Sequence, residues 1–112
     1  MNASQLLQQI LDEAVEAGAT SIELTPESDG LEVCYFVGST GIGHLISDGK
    51  LESALFRLIF ERAELEERER GSMEVELQGK TRTIRVEQFE SFMETCLRLH
   101  LQEPPRRRKR RR

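Results

Sequence analysis

The first apolar pattern of the chain repeats at helical spacing. Its members recur every three or four residues and are Leu6, Leu7, Ile10, Leu11, Ala14 and Val15. Such a stripe predicts an amphipathic helix with one face toward a core. Asn2 followed by Gln5 predicts an N-cap pair, and Gly18 suits the left-handed residue at which helices often end.

The next pattern has a period of two. Residues 21–25 and 31–37 each alternate, with Ile22 and Leu24 on one face of the first segment, and a turn-rich stretch separates the two. This arrangement predicts a hairpin. Residues 38–49 contain four glycines without the GxxxxGK[ST] pattern of a phosphate-binding loop, so we expect a loop, with Leu45 and Ile46 as a candidate brief strand.

The second half of the chain repeats helix and then hairpin. Residues 50 to about 66 carry a second helical stripe, which ends in a run of mixed charge from Glu61 to Arg70. Residues 73–77 and 81–86 predict two strands joined at Gln78-Gly79. Residues 89–101 fit a helix and a strand equally well, and periodicity leaves both interpretations open.

These patterns favour an α+β class. The expected order is helix, hairpin, helix, hairpin and a last strand or helix, with two helices packed on one face of a small, mainly antiparallel sheet. With 112 residues the chain suits a single domain, which we place at residues 1–102. Residues 103–112 are expected to form a disordered arginine-rich tail, because a run of like charges repels itself.

Charge is distributed unevenly along the chain. The net charge is −4, yet residues 106–112 read RRRKRRR. Without these seven residues, nine Lys and Arg stand against twenty Asp and Glu, which leaves about −11 on the rest of the chain. The candidate contacts of this segment with nucleic acid or anionic lipid are Arg106, Arg107, Arg108, Lys109, Arg110, Arg111 and Arg112.

Candidate catalytic residues are scarce. A Cys–His nucleophile would have to combine Cys34 or Cys96 with His44 or His100, and no sequence motif links them. Neither HExxH nor paired CxxC occurs, so we expect no metal, no cofactor and no enzymatic activity. No apolar run is long enough to cross a bilayer and no signal-peptide pattern opens the chain, so a cytoplasmic protein is expected.

Five segments of the chain occur in series: GATSIEL at residues 18–24, LEVCYFVGSTG at 31–41, LESALFRLIFERAEL at 51–65, GSMEVELQGKTRTIRV at 71–86 and CLRLHL at 96–101. In this order they resemble the domain that precedes the motor core in type II secretion and type IV pilus assembly ATPases. The corresponding segments of the family are a GASDIHIEP-like strand, a VRYRIDG strand and turn, a second helix, a GRF…G…DLRVS hairpin and a VLRLL strand. The resemblance favours a strand for the last segment.

The resemblance also carries departures. Cys34 and Phe36 stand where the family has the arginines of its RYR motif, and Arg68-Glu69-Arg70 replaces its proline-containing turn. In the family, arginines of this domain reach a nucleotide held by the motor core. Because the sequence contains no Walker motif and no tetra-Cys zinc segment, we expect no ATP hydrolysis by this chain.

The expected function is therefore contact with another macromolecule. The resemblance implies an accessory or regulatory protein-binding module of a bacterial secretion or pilus system, with the ATPase or an associated component as partner. Arg85 and Arg98, which align with family arginines, are candidates for contact with a partner or an anion. Alternatively, they are surface strand arginines that pair with Glu74, Glu76 or Glu94. The second functional hypothesis is polyanion binding through the arginine-rich tail.

Overall fold

The computed structural model of the protein describes residues 1–101. Two helices and six strands follow one another in the order α, three strands, α, three strands. Their bounds are α1 Ala3–Ala17, β1 Ser21–Glu27, β2 Gly30–Val37, β3 Thr40–Ile46, α2 Gly49–Ala63, β4 Arg70–Leu77, β5 Lys80–Ser91 and β6 Glu94–His100.

Helix α1 begins and ends where the sequence predicts. The Asn2 side chain accepts a hydrogen bond from the Gln5 amide at 2.8 Å, and the Gln5 side chain accepts one from the Asn2 amide at 2.9 Å. Gly18 follows the helix with φ 79°, a left-handed conformation that costs glycine little. Helix α2 begins after Asp48, whose side chain accepts a hydrogen bond from the Leu51 amide at 3.1 Å.

All neighbouring strands of the sheet are antiparallel, and their order is β3-β2-β1-β6-β5-β4. The α+β class holds, but the predicted order of helix, hairpin, helix, hairpin and strand is wrong. Each helix is followed by three strands, because residues 40–46 form β3 rather than a loop.

The glycines of β3 explain this error. Gly41 pairs with Phe36 and Gly43 with Cys34 across β2. A Cβ atom on Gly41 would lie 3.1 Å from the Cys34 sulfur and 3.2 Å from the Phe36 ring, so the neighbouring side chains occupy the space above the glycine. Glycine in a strand marks such a close approach as readily as it marks a loop.

Most of residues 89–101, for which the sequence left helix and strand open, form strands. The first three complete β5, and residues 94–100 form β6, which lies between β1 and β5. Phe92 and Met93 form the two-residue connection, and both have positive φ. The helical interpretation is wrong because such a turn reverses the chain within the segment.

The core lies between the helices and one face of the sheet. Within each of the inner strands, alternate residues are buried there, among them Ile22, Leu24, Val86, Leu97 and Leu99. The helices contribute their apolar stripes, so both helices pack on one side as the sequence predicts. We call the opposite side of the sheet the open face, since no helix of residues 1–101 covers it.

The arginine-rich segment predicted for residues 103–112 lies outside the described residues. The last described residue, Leu101, follows central strand β6, and its amide donates a hydrogen bond to the Thr20 carbonyl oxygen at 2.9 Å. Within residues 1–101, neither helix is long and apolar enough to span a bilayer.

Candidate functional site: the open face and the β5–β6 turn

A row of alternating charge crosses the middle of the open face. The strand register places Glu23 of β1 beside Arg98 of β6, Arg98 beside Glu87 of β5, and Glu87 beside Arg70 of β4. Side chains directly opposite each other on antiparallel strands lie close enough to interact. The sheet thus brings together charges that are as much as 75 residues apart in sequence.

Arg98 is the centre of this row. Its Nη2 lies 2.7 Å from Glu23 Oε2, its Nη1 lies 3.4 Å from Glu87 Oε1, and its guanidinium carbon lies 4.6 Å from the centre of the Phe89 ring. Partial burial opposes its charge, but the two carboxylates outweigh that effect and raise the pKa of Arg98. The guanidinium is therefore held by groups of its own sheet.

His100 extends the network at the end of β6. Its Nε2 lies 2.7 Å from Glu87 Oε1, so Glu87 interacts with both His100 and Arg98. The hydrogen bond with His100, followed by the charges of the two partners, lowers the pKa of Glu87 against the opposing effect of burial. Three side chains of two strands thus fix one another's orientation.

Replacing Glu87 by glutamine tests the strength of this network. Because the pKa of Glu87 is lower in the folded than in the unfolded chain, its stabilisation is complete above the ordinary value of 4.5 and is lost as pH falls through the folded pKa. We expect Glu87→Gln to lower the free energy of unfolding by about 1 kcal/mol at pH 7. The difference from wild type should shrink below the ordinary pKa.

Urea denaturation at several pH values measures this difference. Glu74→Gln, at an exposed position of β4, is the matched control and should change little. A Glu87→Gln deficit that stays constant down to low pH would contradict the assigned role of the carboxylate.

The structure separates the two arginines that the sequence singled out. Arg98 pairs with Glu23 and Glu87, and not with the acidic residues considered from the sequence. Arg85 is exposed and lies opposite His100 on the open face. With Arg70 it lines a depression of about 230 Å³. Contact of Arg85 with an anion or a partner stays a prediction, and the predicted contacts at residues 106–112 lie outside the described residues.

The cysteines and histidines do not assemble into a nucleophilic pair. His44 pairs with Val33 on the helix side of the sheet, whereas Cys34 lies on the open face. Cys96 and His100 are four residues apart on one strand, which separates them by roughly 13 Å. Burial is the main cause that raises the pKa of both thiols, which disfavours the reactive thiolate. Within residues 1–101, no cluster of metal-ligating side chains occurs.

The β5–β6 turn is the feature that sequence reasoning missed. Ser91 pairs with Glu94, which leaves Phe92 and Met93 as the two turn residues, with φ 51° and 68°. Their side chains are 97% and 95% exposed. A two-residue turn with positive φ at both positions favours Asn-Gly, and bulky residues are strained there.

Another hairpin of the same sheet provides an internal comparison. The β4–β5 turn has the same length and also has positive φ at both residues, but it uses Gln78-Gly79. Glycine relieves the strain at the second of its two positions. The β5–β6 turn has neither glycine nor asparagine, so it combines backbone strain with two large apolar side chains in water.

Acidic side chains surround the exposed pair. Glu90 and Glu94 lie on the two strands that lead to the turn, and both are exposed. Glu27, the last residue of β1, lies at the same end of the sheet, and a depression of about 410 Å³ there is lined by residues near both turns, including Glu27 and Phe92. This end of the sheet is therefore an apolar tip with an acidic rim. We call Phe92, Met93, Glu27, Glu90 and Glu94 the turn site.

Comparison of the sequence with models of known protein families and with curated proteins finds no match. The resemblance to the secretion and pilus ATPase domain therefore stays a prediction.

Proposed function

We propose that the protein is a non-catalytic protein-binding module that inserts Phe92 and Met93 into an apolar pocket of a partner. The observation that carries this proposal is the near-complete exposure of both side chains on a strained two-residue turn. Backbone strain persists where the surrounding structure enforces it, and it concentrates at functional sites. Neither side chain contributes burial to the fold.

Energetics support insertion into a partner. Burying a side chain of this size contributes about 1.5–3 kcal/mol, so two of them could supply a large part of the binding energy. The turn closes a hairpin whose strands pair continuously from Arg85–His100 to Ser91–Glu94. Because the strands hold the turn in place, little backbone conformational entropy would be lost on binding.

The acidic rim indicates the chemistry of the partner. Glu27, Glu90 and Glu94 would face the edge of the occupied pocket, so a rim rich in Lys and Arg is the complementary surface. An anionic bilayer would repel the same carboxylates, which disfavours membrane insertion at this site. The partner that fits is a protein with an apolar pocket and a basic border.

The class of partner rests on the resemblance alone. We propose an accessory or regulatory role in the cytoplasm beside a bacterial secretion or pilus system, with its ATPase or an associated component as partner. The free thiols of Cys34 and Cys96 are compatible with a reducing compartment.

Site-specific photo-crosslinking in the native cell tests the insertion. A photoreactive amino acid replaces Met93 in one strain and Gln78, at the equivalent turn of β4–β5, in the other. We expect a crosslinked protein from position 93 and not from position 78, because only the first turn is inserted. The crosslinked protein is identified by mass spectrometry and then purified for binding measurements.

The crosslink supports the proposal only together with direct binding. The purified partner should bind the full chain, and Phe92→Ser should weaken that binding at least tenfold, as expected for an apolar anchor. Equal crosslinking at both positions, or equal affinity of wild type and Phe92→Ser, would exclude insertion of the turn.

A second candidate function is polyanion binding through residues 106–112. The specific observation is seven consecutive basic residues on an otherwise acidic chain. Binding to RNA or anionic vesicles that weakens steeply with salt, and that is lost when the chain ends at Glu103, would support it. Equal binding by the full and shortened chains would exclude it.

A further inference from the structure

One edge of the sheet lacks the features that usually prevent strands from pairing. Strand β3 reads TGIGHLI and contains no Lys, Arg, Asp, Glu or Pro. Ile42 is 51% exposed and Leu45 is 43% exposed. An apolar, uncharged edge strand of this length is a template for pairing with another strand.

The opposite edge of the sheet differs in this respect. Strand β4 reads RGSMEVEL, and it presents Arg70, Glu74 and Glu76 at exposed positions. Charged side chains on an edge disfavour pairing because strand addition would bring them close to another chain. The two edges of one sheet are thus unequal, and the unprotected edge is β3.

The alternation of side chains along β3 is compatible with antiparallel pairing to the β3 strand of a second copy of the chain. Ile42, His44 and Ile46 pair with Tyr35, Val33 and Leu31, which lie on the helix side of the sheet. The alternate residues Gly41, Gly43 and Leu45 therefore lie on the open face. If a two-fold axis passed through Gly43 perpendicular to the sheet, the β3 strands of two copies would pair antiparallel. The open faces of the two copies would then be continuous, and so would their helix sides.

This register places compatible residues opposite one another. Leu45 of one copy would lie beside Gly41 of the second, which adds no side chain of its own to the pair, although Cys34 and Phe36 fill the space directly above Gly41. In the same register Ile42 would lie beside His44 of the other copy on the helix side, and Gly43 would lie beside Gly43. No like charges meet within the strand pair, because Thr40–Ile46 carries no acidic or Lys/Arg side chain.

We propose that two copies of the chain pair through their β3 strands about a two-fold axis at Gly43 and form one continuous antiparallel sheet. The backbone groups on the outer side of β3, which have no partner strand within residues 1–101, would then be hydrogen-bonded. A single strand pair is a small interface, so the dimer should dissociate on dilution. The proposal is independent of the turn site.

Sedimentation velocity of the full chain at physiological salt tests the proposal. Wild type should shift from monomer to dimer with rising concentration. Ile42→Lys should raise the dimer dissociation constant at least tenfold, because two lysines would enter the new strand pair. Ser72→Lys, on the exposed edge strand β4, is the matched control and should associate as wild type does.

Disulfide trapping tests the register itself. Directly opposed residues of an antiparallel pair have Cα atoms about 4.5–5.5 Å apart, which suits a disulfide. Gly43→Cys should therefore give a covalent dimer under mild oxidation. Cys34 is replaced by alanine in this experiment, because it pairs with position 43 within one chain. Ser72→Cys in the same background should remain monomeric.

Several outcomes would overturn the proposal. These are a wild type that stays monomeric at every concentration, self-association that Ile42→Lys leaves unchanged, and equal trapping at positions 43 and 72. The double substitution Phe92→Asn and Met93→Gly should leave the dimer intact. Loss of dimerisation in that variant would assign the contact to the turn site and also overturn the proposal.

Discussion

Truncating Leu99 to alanine is expected to lower the free energy of unfolding by about 2–5 kcal/mol, the range for a large side chain removed from a close-packed core. Leu99 is fully buried in central strand β6, and its neighbours across the sheet are Ile22 and Val86. Because both flanking strands are fixed by pairing, the surroundings are unable to close the cavity. Urea denaturation monitored by circular dichroism measures the loss.

The control for this prediction is Met93→Ala. Met93 is 95% exposed, so its truncation should change stability by less than about 0.5 kcal/mol. If Leu99→Ala cost no more than this control, the central position of β6 in the core would be wrong.

Replacing the β5–β6 turn residues by Asn-Gly is expected to stabilise the protein. A left-handed conformation costs roughly 1–2 kcal/mol for an ordinary residue and little for asparagine or glycine. Phe92→Asn with Met93→Gly should therefore raise the free energy of unfolding by about 2 kcal/mol, since the lost side chains were already exposed. Thermal and urea unfolding both measure the gain.

The β4–β5 turn provides the matched control. Gln78→Asn improves a turn that already has glycine at its second position, so its gain should be smaller. Unchanged or reduced stability of the Phe92→Asn, Met93→Gly variant would show that the native turn is not strained.

Local signals in the sequence were sufficient for part of the fold. The capping box at Asn2 and Gln5, the glycine at position 18 and the apolar stripe of α1 act within a few residues of one another, and the structure confirms them. The turn at Gln78-Gly79 is equally local. In such segments the residues that determine the helix or turn lie within that helix or turn, so the local sequence is enough to predict it.

The errors arose where neighbours from distant segments decide the structure. Gly41 and Gly43 look like loop residues until the side chains of Phe36 and Cys34 are placed beside them. Residues 89–101 fit two periodicities, and their pairing with β1 and within the β5–β6 hairpin selects the strand. Those contacts are tertiary, and periodicity contains no information about them.

Only part of the candidate site could be predicted from the sequence. The sequence predicted Arg98 as a candidate contact residue. Its partners Glu23 and Glu87 become its neighbours only through the sheet register. Phe92 and Met93 were not predicted as a site, because large apolar residues usually indicate the interior of an element. Only the structure shows that they occupy a turn and face water.

Stability and binding should oppose each other at the β5–β6 turn. The residues that would stabilise the turn are those that remove its apolar side chains, so the native sequence is suboptimal for folding there. This opposition is typical of binding sites that are kept at a cost in stability. It also separates a binding role from a structural role, which would predict that stability and binding change together.

The affinity of the Phe92→Asn, Met93→Gly variant for the partner crosslinked at position 93 is the most direct test of the account. Isothermal titration calorimetry of the full chain compares this variant with wild type and with Gln78→Asn. We predict that the double variant binds at least tenfold more weakly although it is the more stable protein, while Gln78→Asn binds as wild type does. Undiminished affinity of the double variant would contradict the claim that the protein works through this turn.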